Sequence, residues 1–220
     1  MLYICMINKV TIYGERCSGT NYLEELIRTN FDVTITWEYG WKHFFGFNDL
    51  SNSDNTLFIG LIRNPYDWLN SFYRDQYHLP KHFIRNIENF LNNEFYSLDI
   101  NNNEIMKDRN IYTKERYKNI FEMRYTKIKF LIEDMPLLVK NYILIKYENL
   151  LNNFNITINE IKNKGLIFKN NIIEAQNIFY YKNKKKKKFI KNKKVNNISK
   201  KKILNKLNLD YEKKILNYDI

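Results

Sequence analysis

Cysteine, proline and glycine are all scarce in this 220-residue chain, with two Cys, three Pro and six Gly. Alanine occurs once, at Ala175, and histidine three times. Two cysteines, Cys5 and Cys17, cannot supply the paired framework on which small secreted folds depend. So little glycine and proline excludes collagen-like and low-complexity linker architectures. No apolar run approaches the ~18 residues of a membrane-spanning helix, which excludes that class. The first nine residues have neither a basic n-region nor a long apolar stretch, so the expected location is cytoplasmic, without a signal peptide or a transmembrane segment.

Hydrophobic residues make up 44% of the chain and charged ones 27%, the balance of an ordinary globular protein. A chain of this length buries roughly 70% of its unfolded surface and needs neither disulfide nor metal to hold a core. One domain over residues 1–220 is the expected organisation. The formal net charge is +12, from 36 Lys+Arg against 24 Asp+Glu. Twelve lysines between Lys182 and Lys202, with no acidic residue among them, account for that whole excess. The basicity is therefore one local feature rather than a basic face of the fold.

Residues 4–13 are β-branched and apolar and end at Gly14, which predicts a buried strand. Leu23, Leu26 and Ile27 recur at helical spacing after it. A second strand is expected over 33–37. Residues 56–62 (TLFIGLI) form a continuous apolar run, as in a strand covered on both faces. Pro65 is placed for the first turn of a helix running to residue 77. Residues 142–147 predict another short strand. Strands alternating with helices argue for an α/β fold with a mainly parallel sheet. The stretch 83–138 reads as helical segments broken at Asn101–Asn103. The lysine tract 182–194 reads as a low-complexity mobile loop. Ser199 is a candidate cap for a helix carrying Ile203, Leu204 and Leu207.

Between the first strand and the first helix stands Gly14-Glu-Arg-Cys-Ser-Gly19-Thr20-Asn21. Two glycines with four residues between them permit tight turns, converging backbone N–H groups attract an anion, and a helix N-terminus adds its positive end. This is the skeleton of a phosphate loop; a plain strand–turn–helix connection is the competing reading. A Walker A loop continues Gly-Lys-Ser/Thr, and Thr20 and Asn21 occupy those places, so Mg-ATP is not the obvious ligand. The run 56–62 leads into Arg63-Asn-Pro-Tyr-Asp-Trp-Leu-Asn-Ser71. Arg63 falls at the carboxyl end of a parallel strand, where α/β sheets place ligands, and arginine suits bidentate phosphate recognition. Ser71 follows two helical turns later; a structural Arg63–Asp67 pair with Ser71 as filler is the alternative. Asp67 itself either orients Arg63 or caps the helix.

The combination resembles the sulfotransferases that use 3′-phosphoadenosine-5′-phosphosulfate (PAPS). Ser18-Gly19-Thr20 matches the family's 5′-phosphosulfate loop, and Arg63 with Ser71 matches its 3′-phosphate pair. Tyr22 stands where the family stacks an aromatic on adenine. Tyr147-Glu-Asn-Leu-Leu resembles the segment whose tyrosine lies near adenine. The resemblance implies a three-layer, P-loop NTPase-like domain that binds PAPS without a metal and sulfates a hydroxyl-bearing acceptor, a carbohydrate or other small molecule. It places Arg16, Cys17, Ser18, Gly19, Thr20, Asn21 and Tyr22 in the donor site, with Arg63, Ser71 and Tyr147.

Where many members carry a cation directly before Ser-Gly-Thr, this chain has Cys17, with Arg16 one place earlier. Arg16 is the expected substitute, and Cys17 reads as a small residue in a tight loop rather than a nucleophile. His43, within Trp41-Lys-His-Phe-Phe, is the candidate base and Lys42 the candidate charge stabiliser; a histidine packed among aromatics is the alternative. The lysine run has three readings: a solvated insertion, a polyanion-binding element, or a cover for the 3′-phosphate. Two rival functions stay open, a P-loop nucleotide or small-molecule kinase and a non-catalytic polyanion-binding protein.

Overall fold

The computed structural model describes residues 6–84, 86–169, 171–182, 185–190 and 198–220. In chain order its elements are β1 (Lys9–Tyr13), α1 (Thr20–Asn30), β2 (Thr34–Ile35), β3 (Thr56–Ile62), α2 (Pro65–Arg74), α3 (Lys81–Ile84), α4 (Ile87–Asn92), α5 (Ile120–Lys129), α6 (Met135–Leu138), β4 (Tyr142–Lys146), α7 (Tyr147–Asn152), α8 (Phe154–Lys162), β5 (Phe179–Lys182), β6 (Lys185–Lys188) and α9 (Lys200–Leu204). Single turns of 3₁₀-helix and two π-helical turns, Phe130–Asp134 and Tyr211–Ile215, complete the set. The chain divides into two compact units, Met1–Arg63 with Phe130–Lys193, and Asn64–Lys129 with Lys194–Ile220.

The first unit is α/β. Its sheet has the order β2-β1-β3-β4, and every pairing is parallel. All seven residues of β3 are buried, as its unbroken apolar run requires of a central strand. Alternation splits the side chains between two faces. Val10 and Ile12 of β1 and Leu57, Ile59 and Leu61 of β3 join Leu23, Leu26 and Ile27 of α1 and Ile158 and Ile161 of α8 in one core. Each such aliphatic contributes about 1.5–3 kcal/mol on burial. On the other face Tyr13 stacks on Phe45 and meets Phe58 edge-on, and Phe45 stacks on Phe130 of the π-turn. Because β1, β3 and β4 run the same way, the segments after Tyr13, Ile62 and Lys146 leave from one end of the sheet.

The strand predicted from residue 4 begins at Lys9, and Ile4 and Cys5 lie outside the described residues. The lysine tract holds regular structure where a loop was expected. Lys185–Lys188 pair antiparallel with Phe179–Lys182, with Tyr181 opposite Lys186. Apolar residues at both ends explain this: Ile178 and Phe189 are buried, and the Phe189 N–H donates to the Ile178 carbonyl (3.0 Å). Residues 183–184 and 191–194 of the tract lie outside the described residues.

In the second unit α2 starts as its sequence demands. Asn64 is the N-cap, its side chain accepting from the Tyr66 N–H (3.0 Å), and Pro65 occupies the first turn. Capping thus falls to Asn64 rather than to Asp67. Trp68, Leu69 and Phe72 face inward, and Phe72 meets Phe90 and Phe95 edge-on. Residues 93–119 are largely irregular where helix was expected. Asn and Asp side chains there bond nearby backbone, as Asp99 does to the N–H groups of Asn101 and Asn103 and Asn110 to that of Tyr112. Ser199 caps α9, accepting from Lys202 N–H (3.4 Å). No helix among the described residues is long and apolar enough to cross a membrane.

Candidate functional site

The loop from Gly14 to Gly19 joins β1 to α1 at the carboxyl end of the sheet. Two of its residues take left-handed backbone, Cys17 at φ 66° and Gly19 at φ 104°. Gly19 is the N-cap of α1, and no side chain caps that end. The first-turn N–H groups of an 11-residue helix therefore open onto the loop with their share of the helix dipole. Thr20, Asn21 and Tyr22 begin that helix. The Ser18 hydroxyl donates to the Glu15 carbonyl (2.5 Å), and the Ser18 N–H bonds the same oxygen, which closes the turn. Gly14 is hemmed in: a Cβ there would lie 2.6 Å from the Leu61 carbonyl oxygen and 2.8 Å from Ser18 Oγ.

Arg63, directly after β3, reaches this loop. Its Nη1 donates to the Cys17 carbonyl (2.9 Å), and its guanidinium lies 4.6 Å from the ring centre of Tyr147, the first residue after β4. The same tyrosine ring covers Gly19, where a Cβ would fall 2.5 Å from Tyr147 Cδ2. Three strand ends thus assemble one corner: the loop, Arg63 and Tyr147. Ser71 belongs to the second unit, buried in α2, with Oγ accepting from Arg74 Nη2 (3.2 Å).

The two other expected cations are held by carboxylates. Arg16 is 2% exposed; its Nε and its backbone N–H both donate to Glu15 Oε1 (2.8 and 2.6 Å). Lys42 Nζ pairs with Glu24 Oε2 (3.0 Å) and donates to the Asn21 side-chain oxygen. Buried pairs of this sort fix geometry more than they add stability. Here they shape the loop and aim Asn21, whose Nδ2 donates to the Tyr181 carbonyl (3.0 Å). Tyr22 is a core residue. Its ring stacks on Phe189 (4.0 Å) and meets Tyr147 edge-on (6.4 Å), so Phe189 covers one of its two faces. Cys17 is half-buried in its tight turn.

His43 stands beneath the loop, with Nδ1 2.6 Å from the Gly14 carbonyl. A carbonyl only accepts, so Nδ1 carries the proton and Nε2 the lone pair in the neutral ring. Burial lowers its pKa to about 3, against the upward pull of Glu15 and the Gly14 carbonyl and with the further downward push of Lys42 and Arg16. The folded chain keeps this ring neutral at pH 5, whereas the unfolded chain protonates it near pH 6.5. Stability from His43 is therefore lost as pH falls through 6.5 toward 3. Between pH 7 and 5 the wild type should lose about 2 kcal/mol more than His43→Asn, read from paired urea melts.

Several of these residues escape a reading by motif: Glu15 and Glu24, which neutralise the expected cations, and Phe189 on Tyr22. Glu24 had a signal, since it sits one helical turn from Asn21 on the same face. Comparison with known proteins adds nothing to this geometry: no protein-family model matches the chain, and no curated protein matches it.

Proposed function

We propose that the chain is a cytoplasmic PAPS-dependent sulfotransferase on a P-loop NTPase-like fold. The observation that carries this reading is the Arg63 guanidinium bonded to the lip of an uncapped glycine loop, with Tyr147 stacked beneath it. The residues present fit such a donor. An uncapped helix start takes a phosphosulfate through backbone N–H groups, and an arginine beside it takes a second phosphate. PAPS supplies an activated sulfuryl group and leaves as 3′,5′-ADP.

In this reading the N–H groups of Gly19, Thr20 and Asn21 hold the 5′ end, Ser18 closes the turn that presents them, and Arg63 holds the 3′-phosphate. Ser71 enters through the sequence motif alone. Tyr147 borders the adenine, with Tyr22 bracing it edge-on. His43 Nε2 takes the proton as the acceptor oxygen forms its bond to sulfur; the Gly14 carbonyl holds the imidazole in the required tautomer. Lys42, paired with Glu24, keeps Asn21 in place, while Arg16 acts through the loop that it and Glu15 shape. The absence of a Lys after Gly19 sets this loop apart from that of an ATP-dependent kinase. The exposed lysines of β6 offer a secondary contact for a polyanion.

A thermal-shift titration with 3′,5′-ADP tests the reading. At a hundredfold excess over Kd the wild type should gain about 2.7 kcal/mol, a rise of roughly 5–10 °C for a chain of this size. Arg63→Ala should weaken the nucleotide at least tenfold, as loss of a charge-assisted contact does. Tighter binding of Mg-ATP than of 3′,5′-ADP would overturn the assignment, as would the absence of any shift.

A further inference from the structure

Of the three tryptophans, Trp68 is 1% exposed, as a large aromatic in a core should be. Trp37 and Trp41 are 49% and 42% exposed, and both belong to the segment between β2 and β3 that carries Lys42 and His43. Their ring centres lie 5.8 Å apart at a tilt of 54°. Trp41 stands 6.1 Å from the His43 ring, nearly perpendicular to it. Neither indole is loose. Trp37 Nε1 donates to Glu24 Oε1 (3.3 Å), and Lys42 Nζ lies 5.2 Å from the Trp41 ring centre. The Glu24–Lys42 pair that orders Asn21 thus also fixes both indoles.

We propose that Trp37 and Trp41 form the acceptor-binding shelf and that the acceptor is a neutral glycan. This rests on the donor and base assignments above. An aromatic face is negative and a ring edge positive, so an indole attracts the slightly positive C–H face of a pyranose as it does any polarised edge. Two faces tilted by 54° suit consecutive sugar rings, whose hydroxyls project sideways. A small phenol needs a cavity that encloses most of its surface, and two half-exposed indoles are an open platform instead. The polar groups of the same segment do not favour an anionic acceptor. Lys42 is committed to Glu24, and Glu38 is paired with the half-buried Lys9 of β1 (2.8 Å). Trp41 adjoins His43, with 6.1 Å between ring centres, which ties the shelf to the proposed base.

The experiment is a calorimetric titration of the full chain, without nucleotide, using chitohexaose and cellohexaose as probes and p-nitrophenol and a heparin hexasaccharide as contrasts. At least one neutral hexasaccharide should bind more tightly than p-nitrophenol, and any heparin binding, which the exposed β6 lysines would supply, should be indifferent to Trp41→Ala. Trp41→Ala should weaken hexasaccharide binding at least tenfold and Trp37→Ala about threefold or more, while Trp41→Phe, which keeps a flat ring, stays within about threefold. A urea melt of each variant verifies folding, and Trp41→Phe remains informative if an alanine variant does not fold. Binding of neither hexasaccharide, tighter binding of p-nitrophenol, heparin binding that Trp41→Ala weakens, or hexasaccharide binding indifferent to Trp41→Ala overturns the glycan assignment. The 3′,5′-ADP titration is a separate readout: a normal nucleotide shift alongside failed glycan binding rejects this inference alone, and a missing shift rejects the sulfotransferase reading itself.

Discussion

Gly19→Ala should destabilise the first unit by about 3 kcal/mol and weaken 3′,5′-ADP binding at least tenfold. Two separate costs combine. Backbone at φ 104° is a region that L side chains rarely adopt, and holding alanine there costs on the order of 1–3 kcal/mol. The added methyl also meets Tyr147, at 2.5 Å from Cδ2 and 2.6 Å from Cε2. That ring has little room to yield, because the Arg63 guanidinium lies over it and Tyr22 abuts its edge. Overpacking of this kind typically costs about 1–3 kcal/mol. A double-mutant cycle separates the two contributions. In a Tyr147→Ala background the methyl has space and only the backbone cost remains, so Gly19→Ala should cost about 1–2 kcal/mol less there. Equal costs in both backgrounds would show that the ring does not constrain the loop. The nucleotide effect has the same origin: an alanine at this position that relaxes toward ordinary φ turns the first N–H groups of α1 away from their common focus.

The first unit was largely legible because its signals are local. The seven-residue run of β3 matches the predicted 56–62, since complete burial on two faces keeps the six residues after Thr56 apolar. Pro65 marked the start of α2 through its fixed φ and missing N–H, and Ser199 marked that of α9. The glycine loop and Arg63 could be read as neighbours because parallel strands bring their carboxyl ends together. What escaped depends on contacts distant in sequence. Phe189 covers Tyr22 from 167 positions away, and a run of lysines gives no hint that its flanking Ile178 and Phe189 would anchor a hairpin. The charge state of the loop was equally hidden. Arg16 and Lys42 read as available cations until Glu15 and Glu24 are seen beside them. The division into two units left no mark in composition either. Each unit is assembled from two separated stretches of the chain.

In the second unit the largest effect should come from Glu212→Gln, at about 3–5 kcal/mol of lost stability. Arg124 and Glu212, 88 positions apart, form a forked pair: Nε to Oε1 at 2.6 Å and Nη2 to Oε2 at 2.9 Å. Both side chains are almost wholly buried, and the guanidinium lies 5.0 Å from the Trp68 ring centre. Such a pair gains little net stability when intact, because the desolvation of two ions offsets their attraction. Removing one charge is a different matter. Glutamine keeps the shape but removes the charge that the forked pair sets against the buried guanidinium, and the desolvation penalty is then no longer offset by it. The paired substitution Arg124→Met with Glu212→Leu removes both ions and should recover most of the loss, to within about 1–2 kcal/mol of the wild type. Urea unfolding followed by Trp68 fluorescence reports the change, since that indole adjoins the pair. If Glu212→Gln costs under about 1 kcal/mol, water reaches Arg124 in solution. The C-terminal π-turn that carries Glu212 would then be more loosely bound to α5 than the forked pair implies.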